Sequence, residues 1–201
     1  CKEEDLVEAF NPEKTAAFYI TDRSTDDRLP LSEVARIAHE LGAPVIIDAA
    51  SELPPKSNMK VYTSRGADLV VISGGKFIAG LNCTGLLAGR KDLIKLAHLN
   101  AYPFHGIGRG AKMSRETIVG LVKALELYLE LDEERLYEEW EEKAEWMAEE
   151  LNDLPNIKTG VIHHTTVEDK KPQYPLVYVE IDEETADIGS VELSNMLRDG
   201  D

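Results

Sequence analysis

The sequence predicts an α/β protein with a mostly parallel sheet, followed by the start of a small α+β domain. Short apolar runs alternate with amphipathic helical patterns through the first two thirds of the chain, which is typical of βαβ units. The runs at 44–48 and 68–73 are almost continuously apolar, as expected for buried strands of a parallel sheet. After Pro155, residues 157–163 and 176–181 alternate like half-buried antiparallel strands.

The predicted elements follow one another in a regular order. Strands are expected in the first part of the chain at 16–20, 44–48, 68–73 and 84–88. Helices are expected at 3–10, 30–41, 59–65, 91–99, 114–131, 133–151 and 191–197, and loops at 21–29 and 101–111. Gly42 directly follows an apolar helical face, where glycine commonly ends a helix, and Ser114 stands where a helix commonly begins.

The domain organisation is predicted from the change of pattern. Residues 1–131 are expected to form part of a large domain that carries the site. Residues 132–153 are expected to be a linking helix, and residues 154–201 part of a small C-terminal domain. The chain starts at Cys1 with no Met and stops directly after an amphipathic pattern, so we expect an internal piece of a longer protein.

Composition and charge exclude several classes of partner. The chain has 201 residues, of which 43% are hydrophobic, and this supplies enough apolar material for a sizeable core. Its formal net charge of -16 repels phosphate backbones and anionic membranes, so neither nucleic acid nor membrane is an expected partner. The two cysteines, Cys1 and Cys83, make no disulfide framework, and we expect no signal peptide. We therefore expect a reducing, cytoplasmic location.

Functional groups stand at the ends of two predicted buried strands. One strand ends in Asp48, and the next ends in Ser73, which is followed by two glycines and Lys76. Ligands of open α/β sheets bind beyond the carboxyl ends of the strands. A lysine amine there suits a Schiff base with pyridoxal phosphate, and a carboxylate suits the protonated pyridine nitrogen. Ser73 is placed to bond the cofactor phosphate.

Each of these residues also has an ordinary structural interpretation. An aspartate at a strand end often caps the following turn, and a lysine in a glycine-rich turn is commonly a surface residue. The combination of Asp48 at one buried strand end with Ser73 and Lys76 at the other is far more specific than either alone. This combination of residues therefore favours the cofactor hypothesis.

The glycine-rich segment 105–114 presents two basic residues, Arg109 and Lys112. It is not predicted to be a phosphate-binding loop, because no buried strand precedes it and Ala111 stands where such a loop needs glycine. We expect a loop whose cations receive a carboxylate or phosphate of a substrate. The alternative is an exposed basic loop that caps the next helix.

No metal site is predicted. His163 and His164 are adjacent, but no cysteine or carboxylate stands at metal-ligand spacing from them. Cys83 lies in a glycine-rich stretch, and we interpret it as a buried packing residue rather than a nucleophile, because free cysteines are commonly buried.

Four stretches carry a resemblance to a known family. They are PVIIDAA at 44–50, GADLVVISGGK at 66–76, TGLLAGRKDLI at 84–94, and IGR at 107–109 with Lys112 and Glu116. Together they resemble the selenocysteine synthase-like group of pyridoxal phosphate enzymes of fold type I. That group contains bacterial seryl-tRNA selenium transferases and ammonia-lyases that act on phosphorylated amino-sugar acids. The resemblance implies the major domain of the aspartate aminotransferase superfamily.

The resemblance also implies roles for individual residues. Lys76 would be the Schiff-base lysine, Asp48 the partner of the pyridinium, and Ala50 a residue that packs on the cofactor ring. Ser73 would help to anchor the phosphate, and Arg109 would receive an anionic group of the substrate. The family's glycine-rich phosphate-binding turn and its other ring-stacking residue would lie outside this chain. A homodimer or higher homo-oligomer is implied as well.

The leading functional hypothesis is a pyridoxal phosphate enzyme acting on a small anionic amino acid. It would remove the α-proton with Lys76 as the base and eliminate at the β-carbon, as an ammonia-lyase does. A racemase, an aminotransferase, a cysteine desulfurase-like enzyme and a seryl-tRNA selenium transferase are alternatives, and the net charge of -16 disfavours the last. A non-catalytic binding or assembly protein is the alternative from another class, and the intact Asp48, Ser73 and Lys76 speak against it.

Overall fold

The structure is a computed structural model that describes residues 2–21, 29–165, 172–186 and 188–200. The described chain divides into two compact units, one ending at Leu131 and the other beginning at Asp132. The helix that we predicted to link two domains belongs to the second unit, and the predicted three-part division stays a prediction. None of the helices in these residues is long and apolar enough to cross a membrane.

The first unit is built on a four-stranded sheet in the order β1-β2-β3-β4. The strands are β1 (Phe18–Thr21), β2 (Val45–Asp48), β3 (Leu69–Ser73) and β4 (Gly85–Gly89). β1, β2 and β3 are parallel, and β4 is antiparallel to β3. The prediction of an α/β fold with a mostly parallel sheet is confirmed, and β4 closes the lysine-bearing turn as a hairpin.

In the described residues of this unit, five helices and one short 3-10 turn accompany the sheet. They are α1 (Glu3–Ala9), α2 (Leu31–Glu40), α3 (Asn58–Ser64), α4 (Lys91–Asn100), the turn Arg109–Ala111 and α5 (Arg115–Glu130). α5 begins as predicted, because the Ser114 hydroxyl accepts from the Thr117 backbone N–H at 3.2 Å. Gly42 follows α2 at a φ of +82°, a conformation that glycine adopts without strain. Residues 22–28 of the predicted loop 21–29 lie outside the described residues.

The core lies between the sheet and helices α2, α3 and α5. Aliphatic side chains of the central strands alternate into it, and α5 contributes Leu121 and Tyr128. Burial of this apolar surface is the main stabilising contribution to the unit. The buried core side chains include Leu31, Ala35, Ala38, Val45, Ile47, Tyr62, Val70, Ile72, Ile78, Leu121 and Tyr128.

A buried carboxylate joins the elements at the amino edge of the parallel strands. Asp68, only 5% exposed, accepts from the Val45 N–H at 2.8 Å and from Arg90 at 3.0 Å, and it lies 2.8 Å from His39 Nε2. Burial acts to raise the pKa of Asp68, but the hydrogen bonds from Val45, His39 and Arg90 outweigh it and hold the pKa below its usual range. Asp68 thus connects β2, α2 and the start of α4.

The second unit contains α6 (Glu133–Asn152), β5 (Ile157–Thr165), β6 (Pro172–Ile181), α7 (Glu183–Ala186) and α8 (Ser190–Asp199). β5 and β6 pair in antiparallel fashion, as the alternating pattern predicts. α6 packs on this hairpin, with Ala144 and Ala148 buried against it. The short α7 was not predicted, because a single helical turn leaves no periodic pattern to detect.

Candidate active site at the carboxyl edge of the sheet

The sheet register brings Asp48 and Ser73 to the same edge of the molecule. β2 and β3 are adjacent and parallel, and Asp48, the last residue of β2, pairs with Val71. β3 continues for two more residues and ends at Ser73. Both side chains are half-buried. The carboxyl ends of these two strands therefore supply a carboxylate and a hydroxyl at one edge, where ligands bind in open α/β sheets.

Two donors on the chain orient the Asp48 carboxylate. The Ala50 backbone N–H donates to Oδ1 at 3.0 Å, and the Tyr19 hydroxyl donates to Oδ2 at 2.9 Å. Tyr19 lies on the neighbouring strand β1, and its hydrogen bond to Asp48 is the first cause that raises the pKa of the phenol. The contact of Asp48 with the Ala50 N–H is the turn-capping role that a strand-end aspartate commonly has. The contact of Asp48 with Tyr19 could not be predicted from the sequence.

Lys76 is exposed and lies near the same strand end. Its Nζ donates to the hydroxyl of Ser51 at 2.5 Å, and Ser51 stands three residues after Asp48 in the chain. The structure therefore brings the predicted lysine to the turn that directly follows the predicted aspartate. Ser51 was missed from the sequence, because nothing in a single serine after a strand indicates a contact with a lysine 25 residues away.

The loop that carries Lys76 is held on both sides. The Gly74 N–H donates to the Thr84 carbonyl at 2.9 Å, and the Gly80 N–H donates to the Gly74 carbonyl at 2.8 Å. Phe77 packs edge-on against Tyr128 of α5 with ring centroids 5.6 Å apart. Lys76 is thus an exposed amine on a loop whose neighbouring residues are held in place.

The two glycines before Lys76 are required by close packing. A Cβ on Gly74 would lie 2.2 Å from Thr84 Oγ1, and a Cβ on Gly75 would lie 2.4 Å from Asn82 Cα. Either contact is far inside van der Waals distance, so only glycine lets the loop close. Cys83 is exposed, so the predicted packing role for it is wrong; the chain turns so that Thr84 takes the buried position.

The segment after Ser51 is fixed to the core. The buried Asn58 side chain donates to the Glu52 carbonyl at 2.7 Å. Lys56 Nζ donates to the Leu129 carbonyl at 2.9 Å and to the Leu131 carbonyl, and both acceptors lie at the C-terminal end of α5. Carbonyls at a helix C-terminus have no partner within the helix, so a lysine there is stabilising. The position of Ser51 is set by these anchors.

The loop after α4 carries the two predicted substrate-binding cations on one aromatic ring. The Arg109 guanidinium lies 4.6 Å from the ring centroid of Tyr102, and Lys112 Nζ lies 4.7 Å from it. Such cation–π contacts hold both charges in place. Arg109 is half-buried, and within the described residues its Nε is buried without a hydrogen-bond partner. The structure thus places Arg109 and Lys112 together on the ring of Tyr102. The two predicted cofactor residues have other contacts: Lys76 bonds Ser51, and Asp48 bonds Ala50 and Tyr19.

The two histidines weighed as metal ligands lie in the second unit. His163 Nε2 is 2.8 Å from Glu141 Oε2, an ordinary surface pair. The side chain of His164 is outside the described part of the chain. In the part of the chain that the structure describes, no three histidine, cysteine, aspartate or glutamate side chains come together as a metal-binding group.

The donors at the carboxyl edge fit pyridoxal phosphate. The cofactor presents an aldehyde, a pyridine nitrogen and a phosphate, which need an amine, a carboxylate and hydrogen-bond donors respectively. Lys76, Asp48 and Ser73 supply an exposed amine, an oriented carboxylate and a hydroxyl at neighbouring strand ends.

A comparison with protein families finds a match over most of the chain. A model of the aminotransferase class-V family matches residues 3–172. The chain belongs to the aminotransferase class-V family. It is 30% identical over 198 residues to 5'-C-glycyluridine monooxygenase-decarboxylase of a Streptomyces species, a match that covers 97% of this chain and 47% of that protein.

Two further relatives are a lyase and a transferase. D-glucosaminate-6-phosphate ammonia lyase of Salmonella typhimurium is 30% identical over 125 residues, covering 61% of this chain and 32% of that protein. L-seryl-tRNA(Sec) selenium transferase of Aquifex aeolicus is 28% identical over 155 residues, covering 68% of this chain and 33% of that protein. The chain therefore spans about half the length, or less, of the relatives it matches.

A solved structure of D-glucosaminate-6-phosphate ammonia-lyase shares the fold. It superimposes with a TM-score of 0.64 at 24% identity, covering 98% of this chain and 50% of that one. The recognised family and the predicted fold class are confirmed. The family match and the named lyase and transferase support the prediction of an enzyme, and the family match also supports pyridoxal phosphate as its cofactor.

Proposed function

We propose that the complete protein is a pyridoxal phosphate-dependent enzyme acting on a small anionic amino acid, by removal of the α-proton and elimination at the β-carbon. The observation that carries this proposal is the meeting of Lys76 with Ser51 at 2.5 Å, directly after the oriented carboxylate of Asp48. An amine beside a carboxylate at the carboxyl ends of parallel strands is the donor pair that this cofactor uses.

Each site residue has a stated task in this proposal. When bound, pyridoxal phosphate supplies an electron sink for negative charge at the substrate Cα. Asp48 would bind the pyridine nitrogen, Ser73 the phosphate, and Ala50 would pack on the ring. Lys76 would hold the cofactor through its amine and then move the proton at Cα as a general base.

Arg109 supports an anionic substrate. A guanidinium presents paired N–H donors that suit a carboxylate or a phosphate. Arg109 is half-buried and held on Tyr102, so little side-chain freedom remains to be lost when an anion binds. In a chain of net charge -16, the loop with Arg109 and Lys112 concentrates positive charge where an anion would be attracted. The named ammonia lyase acts, by its name, on a phosphorylated amino-sugar acid.

The direct experiment replaces Lys76 in the full-length protein. Lys76→Ala should abolish the visible absorbance of the lysine-bound cofactor and lower turnover by at least about 100-fold. Lys60→Ala, an exposed lysine on α3, is the matched control and should leave both unchanged. Unchanged absorbance and turnover in Lys76→Ala would refute the proposal, and a wild-type protein that stays colourless with added cofactor would favour a non-catalytic relative.

A second candidate is an oxygen-dependent decarboxylase. It is favoured by the relative that covers 97% of this chain, whose name describes a monooxygenase-decarboxylase. The two candidates differ in products: elimination from an amino acid releases ammonia or another leaving group without oxygen, whereas oxidative decarboxylation consumes O₂ and releases CO₂. An oxygen electrode with product analysis on candidate amino acids separates them. Seryl-tRNA selenium transfer is less favoured, because the acidic chain would repel tRNA.

The proposed assembly is a homodimer or a higher homo-oligomer. Active sites of this fold lie at subunit interfaces by family analogy, and closed symmetric assemblies are the commonest oligomers. Light scattering of the full-length protein tests this, and a monomer with full activity would contradict it. A cytoplasmic location is proposed from the two cysteines in 201 residues.

A further inference from the structure

A tyrosine on β1 contacts the carboxylate at the centre of the site. The Tyr19 hydroxyl donates to Asp48 Oδ2 at 2.9 Å. In the register of the sheet Tyr19 pairs with Ile46, and Asp48 pairs with Thr21, so the phenol extends along the strand to reach the carboxylate. Tyr19 is 62% exposed, so core packing does not account for the tyrosine. Among the described residues, the hydrogen bond of its side chain is made at the hydroxyl end, to Asp48.

The two hydrogen bonds to Asp48 act on different oxygens. Ala50 N–H donates to Oδ1, and Tyr19 O–H donates to Oδ2. Two donors on two oxygens fix both the rotamer and the plane of the carboxylate, which neither donor achieves alone. A carboxylate offers about four lone-pair sites, so each oxygen keeps capacity to accept from a ligand N–H.

We propose that Tyr19 is a positioning residue of the active site: it holds the Asp48 carboxylate in the orientation that the pyridine nitrogen of the cofactor requires. This inference rests on the proposed function. The hydrogen bond to Asp48 is also the first cause that raises the pKa of Tyr19, as expected when the protonated phenol donates to a carboxylate.

The first test needs no cofactor. In the full-length apoprotein, the difference in tyrosinate absorbance between wild type and Tyr19→Phe reports the ionisation of Tyr19. With Asp48 present, that ionisation should require a higher pH than an ordinary tyrosine. In an Asp48→Asn background it should return toward the usual range, about pH 10. An identical Tyr19 titration in both backgrounds would show that the contact does not form, and would overturn the inference.

The second test measures cofactor binding. Tyr19→Phe should weaken binding of pyridoxal phosphate by about tenfold, because one hydrogen bond to a charged group is lost. Tyr178→Phe, on β6 of the other unit, is the matched control and should bind as wild type does. In the Asp48→Asn background, Tyr19→Phe should have no further effect.

The outcomes separate this inference from the function on which it rests. A wild-type protein that binds the cofactor, with Tyr19→Phe binding equally well, overturns the role of Tyr19 and leaves the function standing. An equal loss of binding in the presence and absence of Asp48 would also overturn it, because a merely structural residue behaves that way. Binding of a cofactor analogue with carbon in place of the pyridine nitrogen should be insensitive to Tyr19→Phe. Failure of wild type and of every variant to bind the cofactor removes both proposals.

Discussion

Each of the two edges of the parallel sheet carries an aspartate, and the two aspartates differ in burial and in hydrogen-bond partners. At the amino edge, Asp68 is 5% exposed and bonded to Val45, His39 and Arg90. At the carboxyl edge, Asp48 is half-buried and accepts hydrogen bonds from a backbone N–H and a phenol, and within the described residues it forms no ion pair. A carboxylate neutralised by an arginine stabilises a fold, whereas one held by neutral donors keeps its charge available for a ligand.

The largest expected effect separates function from stability at the carboxyl edge. Asp48→Asn should lower turnover of the complete enzyme by about 10²–10³-fold, because the charge opposite the pyridine nitrogen is lost. The free energy of unfolding should change by less than about 1 kcal/mol, because asparagine keeps an oxygen for a donor. Kinetics and urea unfolding of the same preparation measure both. A large loss of stability would break the comparison between the two edges.

The opposite result is expected at the amino edge. Asp68→Ala should lower the free energy of unfolding by about 3 kcal/mol, because the Val45 N–H is left buried without its acceptor and the Arg90 guanidinium loses its ion-pair partner. Cofactor affinity, measured at a temperature where the variant stays folded, should remain near that of wild type. A selective loss of cofactor binding with unchanged unfolding would show that Asp68 serves the site instead.

A smaller effect is expected at the lysine loop. Gly74→Ala places a Cβ against Thr84 Oγ1 and Leu121, so overpacking should cost about 1–3 kcal/mol and displace Lys76. Gly110→Ala is the matched control, because a Cβ there meets nothing within 4 Å. Thermal unfolding and the absorbance of the bound cofactor report the two consequences. Equal behaviour of both variants would show that the loop closure is not required.

The smallest expected effect is a dependence on pH at the amino edge. The folded pKa of Asp68 lies below its unfolded value of about 3.9, so its contribution is present above that value and is lost as the pH falls through the folded pKa. The difference in unfolding free energy between wild type and Asp68→Asn should therefore be constant above about pH 5 and narrow below about pH 4. Urea titrations across this pH range measure the difference in unfolding free energy. A difference that becomes larger on acidification would contradict the prediction.

Much of the fold and part of the candidate site follow from local patterns. The continuous apolar runs before Asp48 and Ser73 predict buried parallel strands, and the strands end within a residue of the predicted positions. The two glycines before Lys76 predict a tight turn, and the structure adds the atoms that exclude any larger residue. These features are short in range, so neighbouring residues are enough to indicate them.

The contacts around the site could not be predicted in the same way. Tyr19 meets Asp48 across a strand pairing 29 residues apart, and Ser51 meets Lys76 across a separation of 25 residues. Cys83 and Thr84 are neighbours in the chain, yet only Thr84 is buried, because a one-residue change of direction in the turn decides which side chain faces inward. Pairwise meetings of this kind depend on strand register and loop closure, which leave no periodic signal.

The sequence by itself determined the α/β class, the two strand ends with their aspartate and lysine, and the family to which these residues point. Only the tertiary structure decided that Tyr19 and Ser51 are the partners of those two groups, and that Arg109 and Lys112 share the ring of Tyr102. The physical reason is one of range. Hydrophobic periodicity acts over a few neighbouring residues, whereas a hydrogen bond between side chains exists only after distant strands have paired.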